Sequence, residues 1–168
     1  MGVRYGNVLE EVFGLELGAV GALAIESSSP DLLAMARIAN HPGDGESGTY
    51  GQAMPALTAE DFIGSEERRR ILFGTETDAM RTNIGCQNLT NDAVRVNLEL
   101  FAADGSSLEV RSMTLWPWGN DQINRVFQDH LPTTGAVDVW TDTDWRAFFC
   151  YGSVLDNVTN DPTTVLPQ

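Results

Sequence analysis

The chain has 168 residues, is 42% hydrophobic and carries a formal net charge of −14 at pH 7. This hydrophobic content is typical of a globular protein rather than a disordered one. The acidic balance disfavours nucleic acids and anionic membranes as partners, because phosphate groups are bound through Lys and Arg. The longest apolar run, 15–25, is too short to span a bilayer, so we expect no membrane insertion.

The first part of the chain predicts few elements. Residues 8–13 have the spacing of one or two helical turns, and strands are expected at 22–26 and 32–39. An exposed loop follows at 42–48, where Gly and acidic residues cluster. Residues 59–67 predict a linker.

The second part predicts many short strands separated by turns. Polar and apolar residues alternate in 94–100, as in a half-buried antiparallel strand. Ala103-Asp104-Gly105 predicts a hairpin turn, and a change of phase in the return strand predicts a bulge near Ser112. We therefore expect an all-β, immunoglobulin-like antiparallel sandwich, with strands at 69–73, 80–87, 94–100, 108–115, 136–140 and 145–155 and a helical turn at 121–127.

Part of the sequence occurs twice. Three matched steps appear in the same order in both copies: Gly6-Asn7, Val12-Phe13 and Gly21–Ile25, then Gly119-Asn120, Val126-Phe127 and Gly135–Val139. Residues 68–115 have no upstream counterpart. The sequence thus predicts a partial module at 1–58, the linker at 59–67 and a complete module at 68–168. We expect Met1 to begin a piece of a longer protein.

Several motifs resemble those of a known family: Arg81–Gly85, Gln87-Asn88, Ala103–Gly105, Gln122–Phe127, Ser153–Asn157 and, upstream, Arg37–Asn40, Gly48–Gln52 and Met54-Pro55. The family comprises repeated β-sandwich modules of large secreted or surface-attached bacterial proteins, sometimes appended to subtilisin-like proteases. The resemblance covers nearly the whole chain and implies an extracellular or cell-surface location. Cys86 and Cys150 depart from it, since they occupy positions that are usually aliphatic or small.

The two cysteines, Cys86 and Cys150, both fall in predicted strands. In an exported chain this favours a disulfide. The alternative is a pair of buried free thiols that pack as small apolar residues. A catalytic cysteine is disfavoured, because neither His41 nor His130 is near in sequence. A Ser-His-Asp set of Ser153, His130 and Asp156 lacks the nucleophile-elbow motif.

Two further groups are candidate binding residues. Trp116 and Trp118 could form an aromatic platform for sugars or peptides, with core packing as the alternative. Clustered acidic residues could bind calcium, although turns alone also enrich Asp; these are Asp142, Asp144, Asp156 and Asp161.

Without a catalytic motif, we expect a non-enzymatic structural or adhesive module that needs no cofactor unless it binds calcium. The alternative is a carbohydrate- or cation-binding accessory domain of a secreted hydrolase. An exposed Trp pair would favour the alternative, and four buried Trp would favour the first hypothesis. The expected partners are neighbouring modules, or other copies that pair through open strand edges.

Overall fold

The computed structural model describes residues 3–16, 18–19, 21–40, 50–130, 133–144 and 147–168. Its one α-helix among these residues is α1, Val8–Glu11, which is capped by Asn7. Short 3-10 turns occur at Ala59–Asp61 and Gln128–His130. The strands are β1 Met35–Asn40, β2 Tyr50–Pro55, β3 Arg68–Glu76, β4 Met80–Asn88, β5 Val94–Ala102, β6 Ser107–Leu115, β7 Asn120–Ile123, β8 Thr133–Thr141, β9 Phe148–Asp156 and β10 Pro162–Val165.

Eight of these strands form two four-stranded antiparallel sheets. Sheet I has the order β10-β9-β4-β7, and sheet II has the order β3-β8-β5-β6. The links β5–β6 and β9–β10 are hairpins within a sheet, whereas the other links from β3 onward cross between sheets. Strands β1 and β2 form a separate antiparallel pair. The prediction of an all-β antiparallel sandwich is confirmed.

The hydrophobic core lies between the two sheets. On strand β5 the apolar residues Val94, Val96, Leu98 and Leu100 are fully buried and Arg95 is exposed, but Asn97 on the polar face is also buried. Burying each such apolar side chain contributes roughly 1.5–3 kcal/mol. The other large side chains of the core come from both sheets and from two loops: Ile63, Ile71, Ile84, Leu115, Val126, Phe127, Val137, Val139 and Phe148.

Two local expectations, at 121–127 and near Ser112, are corrected by the structure. Residues 120–123 form strand β7 rather than a helical turn, because Ile123 pairs with Ile84 of β4. The bulge of the β5–β6 hairpin lies at Leu108, not near Ser112, since Leu100 pairs with Glu109 and Phe101 with Ser107. Ile63, in the segment predicted as a linker, is buried in the core and pairs with Phe148.

The two copies of the sequence repeat adopt different conformations at their start. Residues 8–11 form α1, while the matching region contains β7. No strand forms at 22–26, where one is predicted, although its counterpart lies in β8. The ends of the copies are more alike, since β1–β2 and β9–β10 are both antiparallel hairpins. The predicted loop 42–48 lies outside the described residues.

The β1–β2 hairpin packs on sheet I through β2. Thr164 Oγ1 donates to the carbonyl oxygen of Ala53 at 2.9 Å, and Ser153 Oγ donates to Gln52 Oε1 at 3.4 Å. Strand β1 lies farther out, and its Met35 and Ile38 are exposed. Within the described residues no helix is long and apolar enough to cross a membrane.

Candidate functional site

The clearest candidate site is the tight turn that joins β6 of sheet II to β7 of sheet I. Its residues are Trp116-Pro117-Trp118-Gly119, and the Gly119 amide donates to the Trp116 carbonyl oxygen at 2.8 Å. Both tryptophans point into solvent, with 72% of Trp116 and 59% of Trp118 exposed. Exposed apolar side chains that stand close together on a surface frequently mark binding sites. We call this pair the Trp platform.

Trp118 has a strained backbone. Its φ of 56° lies in the left-handed region, which costs a residue with a Cβ about 1–2 kcal/mol. With Pro117 before it, Trp118 occupies the turn position that normally requires Gly or Asn. Strain of this kind persists where the surroundings hold it.

Three hydrogen bonds hold Trp118 in place. Its amide donates to the Thr90 carbonyl oxygen at 3.1 Å, and its own carbonyl oxygen accepts from Gln87 Nε2 at 2.8 Å. The indole Nε1 donates to Asn91 Oδ1 at 2.9 Å. Both the backbone and the ring are therefore tied to the end of β4 and to the β4–β5 loop.

Beneath the platform, Asn88 is fully buried and connects three segments. Its Nδ2 donates to the carbonyl oxygens of Asp92, Leu115 and Trp116 at 2.8, 3.2 and 2.9 Å. Its Oδ1 accepts from the amide and the hydroxyl of Thr90 at 2.8 and 2.9 Å. Asn88 thus fixes the start of the turn. Asn88 is also the first residue of a glycosylation sequon, but its side-chain amide is buried and hydrogen-bonded, so it is not available for a glycan in the folded chain.

The surroundings of the Trp platform are polar and rich in amides. Asn91, Asn120 and Asp121 are exposed beside it. Within the described part of the chain, neither the indole Nε1 of Trp116 nor the Nδ2 of Asn91 has a hydrogen-bond partner. The site therefore combines two apolar ring surfaces with free N–H donors.

Cys86 and Cys150 form a disulfide with an S–S distance of 2.03 Å and a Cα–Cα distance of 4.1 Å. They lie directly opposite each other on β4 and β9, and both are buried. The bond therefore joins neighbours within sheet I, unlike the inter-sheet bridge of immunoglobulin domains. It anchors β4 two residues before Asn88.

The four aspartates predicted as calcium ligands lie in two loops at opposite ends of the sandwich. Asp142 Oδ2 accepts from Asn97 Nδ2 at 2.7 Å, and Asp144 is exposed near Glu66 and Glu67. Asp156 Oδ1 accepts the amides of Thr159 and Val158, which lower the pKa of its carboxyl group. Asp161 lies in the same loop, and its amide donates to Thr159 Oγ1. Among the described residues no three acidic, His or Cys side chains are grouped to hold a metal.

The three residues of the possible Ser-His-Asp set each contact other residues. Ser153 donates to Gln52, and Asp156 caps its own turn. His130 Nε2 lies 3.1 Å from Glu109 Oε2. Arg111 binds the same carboxylate through two bonds of 2.8 Å and, aided by His130, lowers the pKa of Glu109 to about 2. His41 and Trp145 lie outside the described residues.

A charged cluster lies on the outer face of sheet II. Arg68 and Arg70 both bind Asp138, and Arg68 also binds Glu99. Burial alone would raise the pKa of Asp138, but the bonds from the two arginines outweigh it and lower that pKa. The guanidinium carbon of Arg68 lies 4.2 Å from the Trp140 ring centroid, a distance typical of a cation–π contact. The two arginines and the two carboxylates of this face thus pair with one another.

Comparison with known proteins gives the fold only. No family model and no curated protein matches this chain. The crystal structure of Thermotoga maritima 1070 is similar with a TM-score of 0.50 and 11% sequence identity, and the match covers 62% of this chain and 94% of that one. The matched share is comparable in length to the two-sheet region.

Proposed function

We propose that this chain is a non-enzymatic β-sandwich module of a bacterial secreted or cell-surface protein, and that it binds carbohydrate through the Trp platform. The main observation in support of this proposal is that Trp116 and Trp118 are exposed on a turn that hydrogen bonds hold in place. Binding residues are often carried by loops that a rigid scaffold positions. The Cys86–Cys150 disulfide supports an oxidising, extracytoplasmic compartment.

The chemistry of the Trp platform favours a neutral sugar chain over other ligands. One face of a pyranose ring presents C–H groups, which pack on the electron-rich face of an indole ring. The free N–H groups of Trp116 and Asn91 match the hydroxyl and ring oxygens of a sugar. An anionic ligand would meet a chain of net charge −14 and exposed Asp121 beside the platform.

A set of single variants tests this function. Tryptophan fluorescence and affinity electrophoresis in gels that contain neutral polysaccharides would detect binding. We expect Trp116→Ala and Trp118→Ala each to weaken binding at least tenfold. The control is Phe73→Ala, because Phe73 is an aromatic residue of equal exposure, 73%, on the distant strand β3.

Loss of binding in the Phe73→Ala variant as well would point to a nonspecific aromatic effect. If the native chain bound no member of a panel of glucans, xylans, mannans and chitin oligosaccharides, the carbohydrate proposal would be rejected.

A second candidate function is that of a structural or adhesive module in a tandem array. The sequence repeat supports it, as does the similarity of the hairpins β1–β2 and β9–β10. Neighbouring modules and open strand edges would supply the partners. The immunoglobulin-like subclass belongs to this proposal and is supported by the strand connections that cross between sheets.

A further inference from the structure

Strand β1 has an open edge. It pairs with β2 on one side, and within the described residues the two strands form a sheet of their own. Within the part of the chain that the structure describes, no strand pairs with its other side. An edge of this kind is a template for β-strand addition.

The other sheet edges of the molecule are protected. Strand β10 is flanked by β2, and β7 has only four residues. Strand β3 is interrupted by a bulge between Ile71 and Gly74 and is also paired by Gln168 at Arg70. Strand β6 carries a bulge at Leu108. Bulges, short strands and covering segments are devices that prevent edge pairing, and among the described residues β1 shows no bulge and no covering segment.

The two strands of the hairpin carry no acidic residue. Strands β1 and β2 contain one charged residue, Arg37, in a chain with a net charge of −14. Copies of an acidic chain repel each other, so association is least opposed where acidic residues are missing. The exposed Met35 and Ile38 add apolar area at this same place.

We propose that two copies of this chain associate by antiparallel pairing of β1 with β1 across a two-fold axis. Antiparallel pairing of identical strands is self-complementary, as a two-fold interface requires. The register that places Ile38 opposite Ile38 of the second copy pairs two apolar residues and sets each Arg37 opposite Ala39. A register centred on Arg37 would oppose like charges, which is unfavourable. The association does not depend on carbohydrate binding, because the Trp platform lies elsewhere.

Cysteine cross-linking tests both the interface and its register. The native chain has no free cysteine among its described residues, and its disulfide is buried. Ile38→Cys should therefore form an interchain disulfide under mild oxidation at micromolar concentration. The matched control is Val110→Cys, because Val110 is similarly exposed, 59% against 62% for Ile38, and also lies on an edge strand, β6.

Light scattering with size-exclusion chromatography gives a second measurement without cysteines. The native chain should elute with the mass of a dimer, Ile38→Asp with that of a monomer, and Val110→Asp with that of a dimer. Equal cross-linking of both cysteine variants, or a native chain that is monomeric at 100 times the concentration used for cross-linking, would overturn the proposal. Circular dichroism would confirm that each variant is folded.

Discussion

Removal of the Cys86–Cys150 disulfide should strongly destabilise the sandwich. The bond closes a loop with a sequence separation of 64 residues, and in the chain-entropy model such a closure stabilises the fold by about 4 kcal/mol. Small domains have a total free energy of unfolding of about 5–15 kcal/mol. The double variant Cys86→Ala, Cys150→Ala should therefore lose a large share of its stability.

Equilibrium unfolding in urea, followed by far-ultraviolet circular dichroism, measures this loss. The urea midpoint of the double variant should fall, and its m-value should rise slightly because the unfolded chain becomes more expanded. Thiol titration of the native chain, unfolded without reductant, should find no free thiol. Two free thiols in that titration, or a loss of less than about 1 kcal/mol, would refute the reasoning.

Three further predictions concern the site and its surroundings. Trp118→Gly should be more stable than Trp118→Ala by about 1 kcal/mol, because glycine adopts the positive φ without strain; urea unfolding compares the two, and an equal or lower stability of the glycine variant would contradict the strain. Asn88→Ala should cost about 2–3 kcal/mol, since it leaves buried carbonyl oxygens unpaired, and should weaken polysaccharide binding as well. The pKa of Glu109 is lowered from 4.5 to about 2 in the folded chain. The contribution of its ionised carboxylate to folding stability is therefore complete above pH 4.5 and is lost as the pH falls toward 2. The thermal unfolding midpoint of Glu109→Gln should therefore change less over that pH range than the midpoint of the native chain. Parallel curves of midpoint against pH would contradict this.

The strands of the sandwich could be predicted because their signal is local. Alternation in 94–100 identifies β5, and the Asp104-Gly105 turn identifies the hairpin, where Gly105 has a φ of 85°. Strand β7 cannot be recognised in the sequence, because four residues are too few to show a period of two. The burial of Ile63 is not visible in the sequence, because it depends on a single long-range pairing with Phe148.

The repeat shows where local similarity misleads. The matching residues at 22–26 and 136–140 suggest strands in both copies, yet only the second segment lies in a sheet. A strand needs hydrogen-bonded neighbours, and β8 has β3 and β5 on its two sides. Residues 22–26 have no such neighbours in the described chain, so the same residue types stay irregular.

The candidate site could be found in part from the sequence. The spacing of Trp116 and Trp118 around Pro117 marks them as unusual, but exposure is a property of the fold. The positive φ of Trp118 and the buried hub of Asn88 depend on contacts between loops that are distant in sequence. The cluster of Arg68, Arg70 and Asp138 cannot be seen in the sequence for the same reason, since both arginines lie about 70 residues from Asp138.

The central claim, that the Trp platform binds carbohydrate, is tested most directly by nuclear magnetic resonance of the indole N–H groups. The chain has four tryptophans, so their signals can be assigned by single substitutions. On titration with an oligosaccharide that the native chain binds, the signals of Trp116 and Trp118 should shift together. The signal of Trp140, which stacks on Arg68, should stay unchanged. A shift at Trp140 with none at Trp116 and Trp118 would contradict the account.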